Sequence, residues 1–358
     1  LNSQYKVSTD QAKQRLDKFL SEQFERPRNQ VQLDIAAGLV RIDGAVATQA
    51  GVRLRAEQVV EYVPPEPITT TLLPEAIPLD IVFEDEHLLV LNKPAGLVVH
   101  PAPGHSGGTV ANALLAHCGP SLAGVGGEGR WGIVHRLDAL TSGLMLAAKT
   151  QPAYERLVAM LAQRAVHRLY LGLAQGHFME TRGVIELPMG RRRSQRTLMG
   201  VIDPRRAARW GVTGKPARTD WELILQGDGV GLLGLSLHSG RTHQIRVHLQ
   251  AIGRPIYGDP EYGRTIARTL HTLPQALRKP LSAVWPKRQL LHAGRLTLQH
   301  PLEEARTLNF TCPMPADFRR VVELFWPAEL LDEHLEKWMT QPLATEDAET
   351  EPPAQGGS

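Results

Sequence analysis

The stretch GIVHRLDALTSGLMLAAK, residues 132–149, sets His135, Arg136 and Asp138 between two apolar runs. Charged groups are seldom buried without a partner. The segment is therefore either a surface turn or a place where Asp138 does chemistry opposite a cation from elsewhere in the chain. Alternation over GIVHRLD predicts a strand with Val134, Arg136 and Asp138 on one face and Ile133, His135 and Leu137 on the other. ALTSG then reads as a turn and LMLAA as the return strand. On that reading Asp138 stands at a strand end, a rigid support for a catalytic group. A turn-capping aspartate bonded to amides near Thr141 accounts for the same residues.

A second constellation, LHSGRTHQIRVHLQAIG, spans residues 237–253. A strand is expected to end at His238 and turn at Ser239-Gly240. Thr242 then caps a helix that carries Ile245, Leu249 and Ile252 on one face and stops at Gly253. Arg241 falls just outside the helix N-terminus, where partial positive charge and unpaired amides collect. A carboxylate brought there would be held ionised by both. His243, Gln244, Arg246 and His248 add polar reach, although an ordinary charged surface helix has a similar composition. Tyr170, in AVHRLYLGLAQG, lies on an expected strand after a helix, and by itself it fits a core position.

Around these two stretches the 358-residue chain reads as four segments. Residues 1–62 form a small unit. Ala12, Leu16, Phe19 and Leu20 recur at helical spacing with Ser8, Thr9 and Asp10 as candidate caps. A second helix carries Val31 and Ile35, LVRIDGAVA is a hairpin turning at Asp43-Gly44, and EQVVEYV is a closing strand. Residues 63–78, with five prolines, read as an extended linker. Residues 79–335 mix strands (LDIVFED, HLLVLNK, GLLGLSLH) with helices near 152–164 and 242–252. Residues 336–358 form an acidic tail expected to be disordered.

The net charge of +3 is small, but residues 182–218 hold ten Lys and Arg, including Arg191, Arg192 and Arg193, against only Glu186 and Asp203. A phosphate backbone suits such a stripe, and so does a solvated loop. Residues 1–62 are nearly balanced, with nine Lys and Arg against eight acids, so any grip of theirs on phosphate should be weak. Cys118 and Cys312 stand far apart, in neither a disulfide nor a zinc spacing. The histidines follow no metal-binding pattern. GVGGEG at 124–129 precedes an expected strand rather than a helix, which argues against a nucleotide fold. No apolar run is long enough to span a bilayer, and the chain opens at Leu1, as a trimmed chain does, without a signal-peptide pattern. Cytoplasmic location and reduced thiols are the expectation.

Together the motifs resemble the RNA pseudouridine synthases of the RluA type, over about residues 8–330. HRLDALTSGLMLAAKT resembles the signature around that family's catalytic aspartate, and GRTHQIRVHLQAIGRPIYGD its second long motif. LDIVFEDEHLLVLNKPAGLVVHP and QLLHAGRLTLQHP match the segments that open and close the catalytic domain. MGRRRSQRTLMG with GKPARTDWELI fits the basic region between them, and RLDKFLSEQF…AAGLVRIDG resembles an S4 RNA-binding module. Ala139-Leu140 and Leu169 depart from the flanking residues common in the family.

The resemblance implies an α+β fold: a catalytic domain with a mixed, largely antiparallel central sheet flanked by helices and loops, preceded by a small S4-like domain. It implies Asp138 as the catalytic aspartate, Tyr170 as the tyrosine against the target base and Arg241 as the cation paired with Asp138. Arg136 would enter the gap left by the extruded base. His135, His243, Gln244, Arg246 and Arg191–Arg193 are the further RNA-binding candidates. The reaction so implied converts uridine to pseudouridine in large-subunit ribosomal RNA, at the intersubunit-bridge stem-loop. The partner would be that RNA or a pre-ribosomal particle, and the protein a monomer. An isomerisation moves no net electrons, so neither a redox nor a nucleotide cofactor, nor a metal, is expected. Asp138 would act either as a nucleophile at C1′ or as a base at C2′. Another ribosomal site or a tRNA, and a non-catalytic RNA-binding or assembly factor, are the alternatives. A glycosidase on small sugars explains neither the basic stripe nor the N-terminal module.

Overall fold

A computed structural model of the chain describes residues 3–24, 26, 28–64, 72–102, 105–192, 195, 198–203 and 214–341. It divides into two compact units, Leu1–Thr71 and Leu72–Ser358.

In the first unit two helices, α1 (Leu16–Gln23) and α2 (Arg28–Ala36), accompany a four-stranded antiparallel sheet. Its strands, β1 (Ser3–Lys6), β2 (Val40–Ile42), β3 (Ala45–Val46) and β4 (Val59–Tyr62), lie in the order β1-β4-β2-β3. Leu16, Phe19, Leu20, Val31, Ile35 and Val60 form its core. The hairpin turn falls at Asp43-Gly44, both at positive φ, as a tight primed turn requires. The expected caps at Ser8–Asp10 are not used, because α1 starts later, after Arg15. There the buried Asp17 carboxylate accepts from Arg15, Arg28 and Gln32, which hold its pKa well below the usual range against the opposing effect of burial.

The second unit is built on nine strands: β5 (Ile81–Glu84), β6 (Leu88–Lys93), β7 (Ser142–Ala148), β8 (Val166–Gln175), β9 (Arg182–Glu186), β12 (Arg218–Gly227), β13 (Val230–Leu237), β14 (Leu291–Gln299) and β15 (Thr307–Thr311). The order is β5-β6-β7-β14-β8-β13-β12-β9, with β15 on β14. Among the described residues only the β7–β14 strand pair is parallel, through His292↔Ser142 and Ala293↔Gly143. Every residue of β7 is buried, as a strand covered on both faces requires. The close approach of β7 to β14 depends on Gly143. Its φ is +111°, and a Cβ there would lie 2.3 Å from the Ala293 carbonyl oxygen. A short hairpin, β10 (Met189–Arg191) and β11 (Met199–Val201), carries part of the basic stripe.

Three sequence expectations are corrected. GIVHRLD is not a strand. Only Ile133 bridges to Ala147, and beyond it the His135 side chain takes the ladder position, Leu146 N–H donating to its Nε2 at 2.9 Å. Residues 72–78 are not linker, since Leu72 is buried and Glu75 accepts from Gly108 N at 2.9 and 3.1 Å. The boundary at 335 cuts a helix that runs Ala328–Thr340, in which Trp338 is buried in a space left by Gly234 and Gly294. The linker core (65–71) and the tail from 342 lie outside the described residues.

Candidate active site

Asp138 sits on a loop that is fastened one residue at a time. Thr141 N donates to the Asp138 carbonyl at 3.0 Å, closing a turn. The Ala139 carbonyl accepts from Gly96 N (2.8 Å) and from the buried Lys93 ammonium (2.9 Å), which also donates to Pro94 O and Leu97 O. Burial pulls Lys93 down to about 7, against the pull of the Asp138 charge. Arg288, paired with Asp317, donates to Leu140 O at 3.3 Å. Gln289 donates to Thr141 Oγ1 at 3.1 Å, and Ser142 Oγ meets His292 Nδ1 at 3.0 Å. These contacts leave the carboxylate as the part of the loop that can meet a ligand, and its side chain is 16% exposed.

The cation that answers it is Arg246. Its Nη1 donates to Asp138 Oδ2 at 3.1 Å, Nε and Nη2 bind Asp259 at 2.7 and 2.9 Å, and Nη2 binds Glu261 at 2.7 Å. Burial disfavours the guanidinium charge, but the Asp259 and Asp138 carboxylates outweigh it and hold its pKa above the ordinary value. Arg241, the partner expected from the sequence, is exposed, and its Nε donates to Pro216 O at 3.3 Å. The reason is local. The helix, α5 (Gln244–Ala251), is preceded by His243 in the left-handed region (φ +57°), not capped by Thr242. That twist leaves Arg241 outside and turns Arg246, on the first turn, inward. Arg241→Ala should therefore leave the melting temperature of the protein within about 1 °C of wild type. Any defect should appear as weaker RNA affinity at raised salt, measured by filter binding.

His243 lies between the two charges. Its Nδ1 meets Tyr262 Oη at 2.8 Å and its Nε2 is 3.8 Å from Asp138 Oδ1. Burial, and secondarily Arg246, lower its pKa, while Asp138 and Glu261 oppose them. Gln244 is spent on structure: its amide donates to Arg218 O and Thr219 Oγ1, and its oxygen accepts from Ser239 Oγ and Arg241 N. Gln244 also lines the cavity described below. His135 is likewise held by Leu146 N, and burial pulls it down to about 3, so it is neutral at ordinary pH.

A cavity of about 440 Å³ opens over this group, within the usual range for sites that hold small organic ligands. Asp138, Tyr170, Arg136, Arg168, Arg241, His243 and Arg246 all line it. Tyr170, on β8, is buried to 4% exposure, and burial raises its pKa, so a neutral ring faces the cavity. Arg136 is exposed. Arg192 is turned back onto the protein, donating to Gln250 at 2.7 Å with its guanidinium 5.5 Å from the Tyr262 ring, while Arg191 is exposed. Arg193 lies outside the described residues.

Among the described residues two other side-chain clusters have metal-ligand types, Glu84–His117–Cys118 and Asp85–His300–Glu303. Both are already engaged: Lys149 and His117 bond to Glu84, and the His300 ring bonds Asp85 and backbone amides. Asp259, Glu261, Tyr262, Lys93 and Arg288 were not singled out from the sequence. A faint signal existed for the acids, which follow the GRTHQIR helix in YGDPEYG.

Known proteins are similar in sequence to this chain over most of its length. An RNA pseudouridine synthase of Synechocystis is 40% identical, with 86% of this chain and 88% of that protein aligned. The chain belongs to the RNA pseudouridine synthase family. The family model, RNA pseudouridylate synthase, matches residues 87–251, and the S4 domain model matches residues 14–60. Ribosomal large subunit pseudouridine synthase D of Pseudomonas aeruginosa is 40% identical (87% of this chain, 92% of that one), and that of Zymomonas mobilis 38% (87% and 93%). Among solved structures, human RNA pseudouridylate synthase domain containing 4 matches with a TM-score of 0.53 at 25% identity, over 68% of this chain and 92% of that one. The family's S4-plus-synthase organisation and α+β fold are those of this chain, which is an RNA uridine isomerase. Among the described residues no helix is long and apolar enough to cross a membrane.

Proposed function

We propose that this pseudouridine synthase isomerises uridines of large-subunit ribosomal RNA, at the intersubunit-bridge stem-loop, with Asp138 as the catalytic carboxylate. One observation carries the catalytic part: an Asp138 carboxylate paired to the buried Arg246 at 3.1 Å, at the wall of a cavity that Tyr170 also lines. The ribosomal target is supported by the Pseudomonas and Zymomonas relatives, each named as a ribosomal large subunit pseudouridine synthase D.

The chemistry follows from these parts. A uridine leaves its stack at a cost of a few kcal/mol, and stacking on Tyr170 returns about 1–3 kcal/mol. Arg136 fills the vacated space. Arg246 donates to the Asp138 carboxylate at 3.1 Å and orients it at the cavity wall. The carboxylate then either bonds to C1′ or takes the C2′ proton as the N1–C1′ bond breaks, and the retained uracil turns and bonds through C5. One carboxylate suffices where ordinary glycosidases use two, because uracil is kept rather than released.

Ribosomal RNA labelled with tritium at uridine C5 should release tritium to water on incubation with the protein, because C5 loses its hydrogen once C5–C1′ has formed. Mapping pseudouridines in a strain lacking the protein should show the bridge stem-loop unmodified. Release from tRNA alone, or an unchanged stem-loop, would move the target elsewhere. No release from any RNA would leave a binding-only protein.

A further inference from the structure

Breaking N1–C1′ leaves the bonding electron pair on uracil, which becomes an anion spread over its ring nitrogens and carbonyl oxygens. Asp138 attends to the sugar and cannot attract this charge. An acid that protonated uracil would have to be undone before C5 could act as the nucleophile, so a fixed cation is the suitable stabiliser.

Among the described residues that line the cavity, Arg168 is the cation placed for this. Arg168 stands on β8 two residues before Tyr170, on the same face of the strand, and lines the same cavity. Arg246 is committed to three carboxylates, Lys93 to three carbonyls and the Arg241 Nε to Pro216 O. Arg130 and Arg136 are exposed. Arg168 is half-buried, makes no ion pair with any described residue, and its Nε is buried without a hydrogen-bond partner. Arg168 makes no side-chain hydrogen bond to a described residue, so the guanidinium N–H groups that reach the cavity can meet a ligand acceptor. Gly240 leaves room beside it: a Cβ there would come within 3.5 Å of Arg168 Nη1. Tyr170 lies in the field of both groups. Burial raises its pKa, with Arg168 opposing and Asp138 adding to the effect. A base stacked on that ring is thus flanked by Asp138 and by Arg168.

We propose that Arg168 is a catalytic residue that donates hydrogen bonds to a uracil carbonyl and stabilises the uracil anion while the base is detached. This rests on the isomerase reading above. The electron pair of N1–C1′ stays on uracil. C1′ meanwhile bonds to the Asp138 carboxylate, or C2′ gives Asp138 its proton. The anion then returns a pair from C5 to C1′, Asp138 is released or returns the proton, and the C5 proton leaves to water.

The test uses the dependence on the leaving group. Fluorine at C5 withdraws electron density and stabilises the same anion without Arg168. On uridine RNA, Arg168→Gln should lower the single-turnover rate of N1–C1′ cleavage by about 10²–10³-fold, with RNA affinity changed by less than about 3-fold. On the same RNA carrying 5-fluorouridine at the target, the deficit should shrink by at least about 10-fold. Arg168→Lys, which keeps the charge but not the fork, should fall between, and it carries the same comparison if Arg168→Gln melts below the assay temperature. Equal losses on both substrates would overturn the proposal. So would a weakened affinity with an unchanged single-turnover rate, which would make Arg168 a phosphate contact. Wild-type protein that releases no tritium would overturn the isomerase reading beneath it, whereas active wild type with equal losses removes only this role.

Discussion

Asp138→Asn should reduce single-turnover tritium release by at least about 10³-fold while RNA affinity stays within about 3-fold of wild type. The amide has the shape of the carboxylate and can still accept one hydrogen bond from Arg246 Nη1. It can neither form an ester with C1′ nor take the C2′ proton. Arg246 keeps Asp259 and Glu261 as partners after the change, so its charge is still compensated and the melting temperature should hold. The loop should keep its place too, because its anchors (Lys93 on Ala139, Arg288 on Leu140, Gln289 on Thr141) do not pass through the Asp138 side chain. Turnover near the wild-type level in Asp138→Asn would remove the carboxylate from the mechanism. A large fall in melting temperature would show instead that Asp138 is mainly a structural ion-pair partner.

The same comparison shows what the sequence could and could not reveal. Asp138 and Tyr170 were named through the family resemblance, since a turn cap and a core position account for them locally, and the cavity brings the two side chains together. The α5 helix was legible from its period. The choice between Arg241 and Arg246 was not, because it turns on the positive φ of His243, a conformation that histidine reaches only when its neighbours fix it. Alternation over GIVHRLD predicted a strand that the structure does not form beyond the single bridge at Ile133. The Leu146 amide is satisfied by an imidazole instead of a carbonyl, which binary patterning cannot distinguish. Lys93, Arg288 and Gln289 reach the Asp138 loop across 46 to 148 residues of sequence, and a local reading carries no information at that range. For the same reason α1 was placed by its apolar spacing while its true start was missed: Asp17 is tied to Arg15, Arg28 and Gln32 by contacts that build the turn before it.

Arg246→Met should be the most damaging single change to the unit that holds the site. The arginine side chain is 4% exposed and the Asp259 side chain is fully buried, so removing the guanidinium strands a buried carboxylate beside Asp138. Breaking a buried pair in this way costs about 3–5 kcal/mol. Glu261, more than a third exposed, adds little because water screens it. Urea unfolding should show the loss directly, alongside turnover reduced at least as far as in Asp138→Asn. A second substitution separates the two effects. Asp259→Asn in the Arg246→Met background removes the stranded charge, so most of the lost stability should return. Turnover should not, since Asp138 still lacks the guanidinium that binds and orients its carboxylate. Recovery of both together would mean that Arg246 serves the fold alone and that Asp138 acts without it.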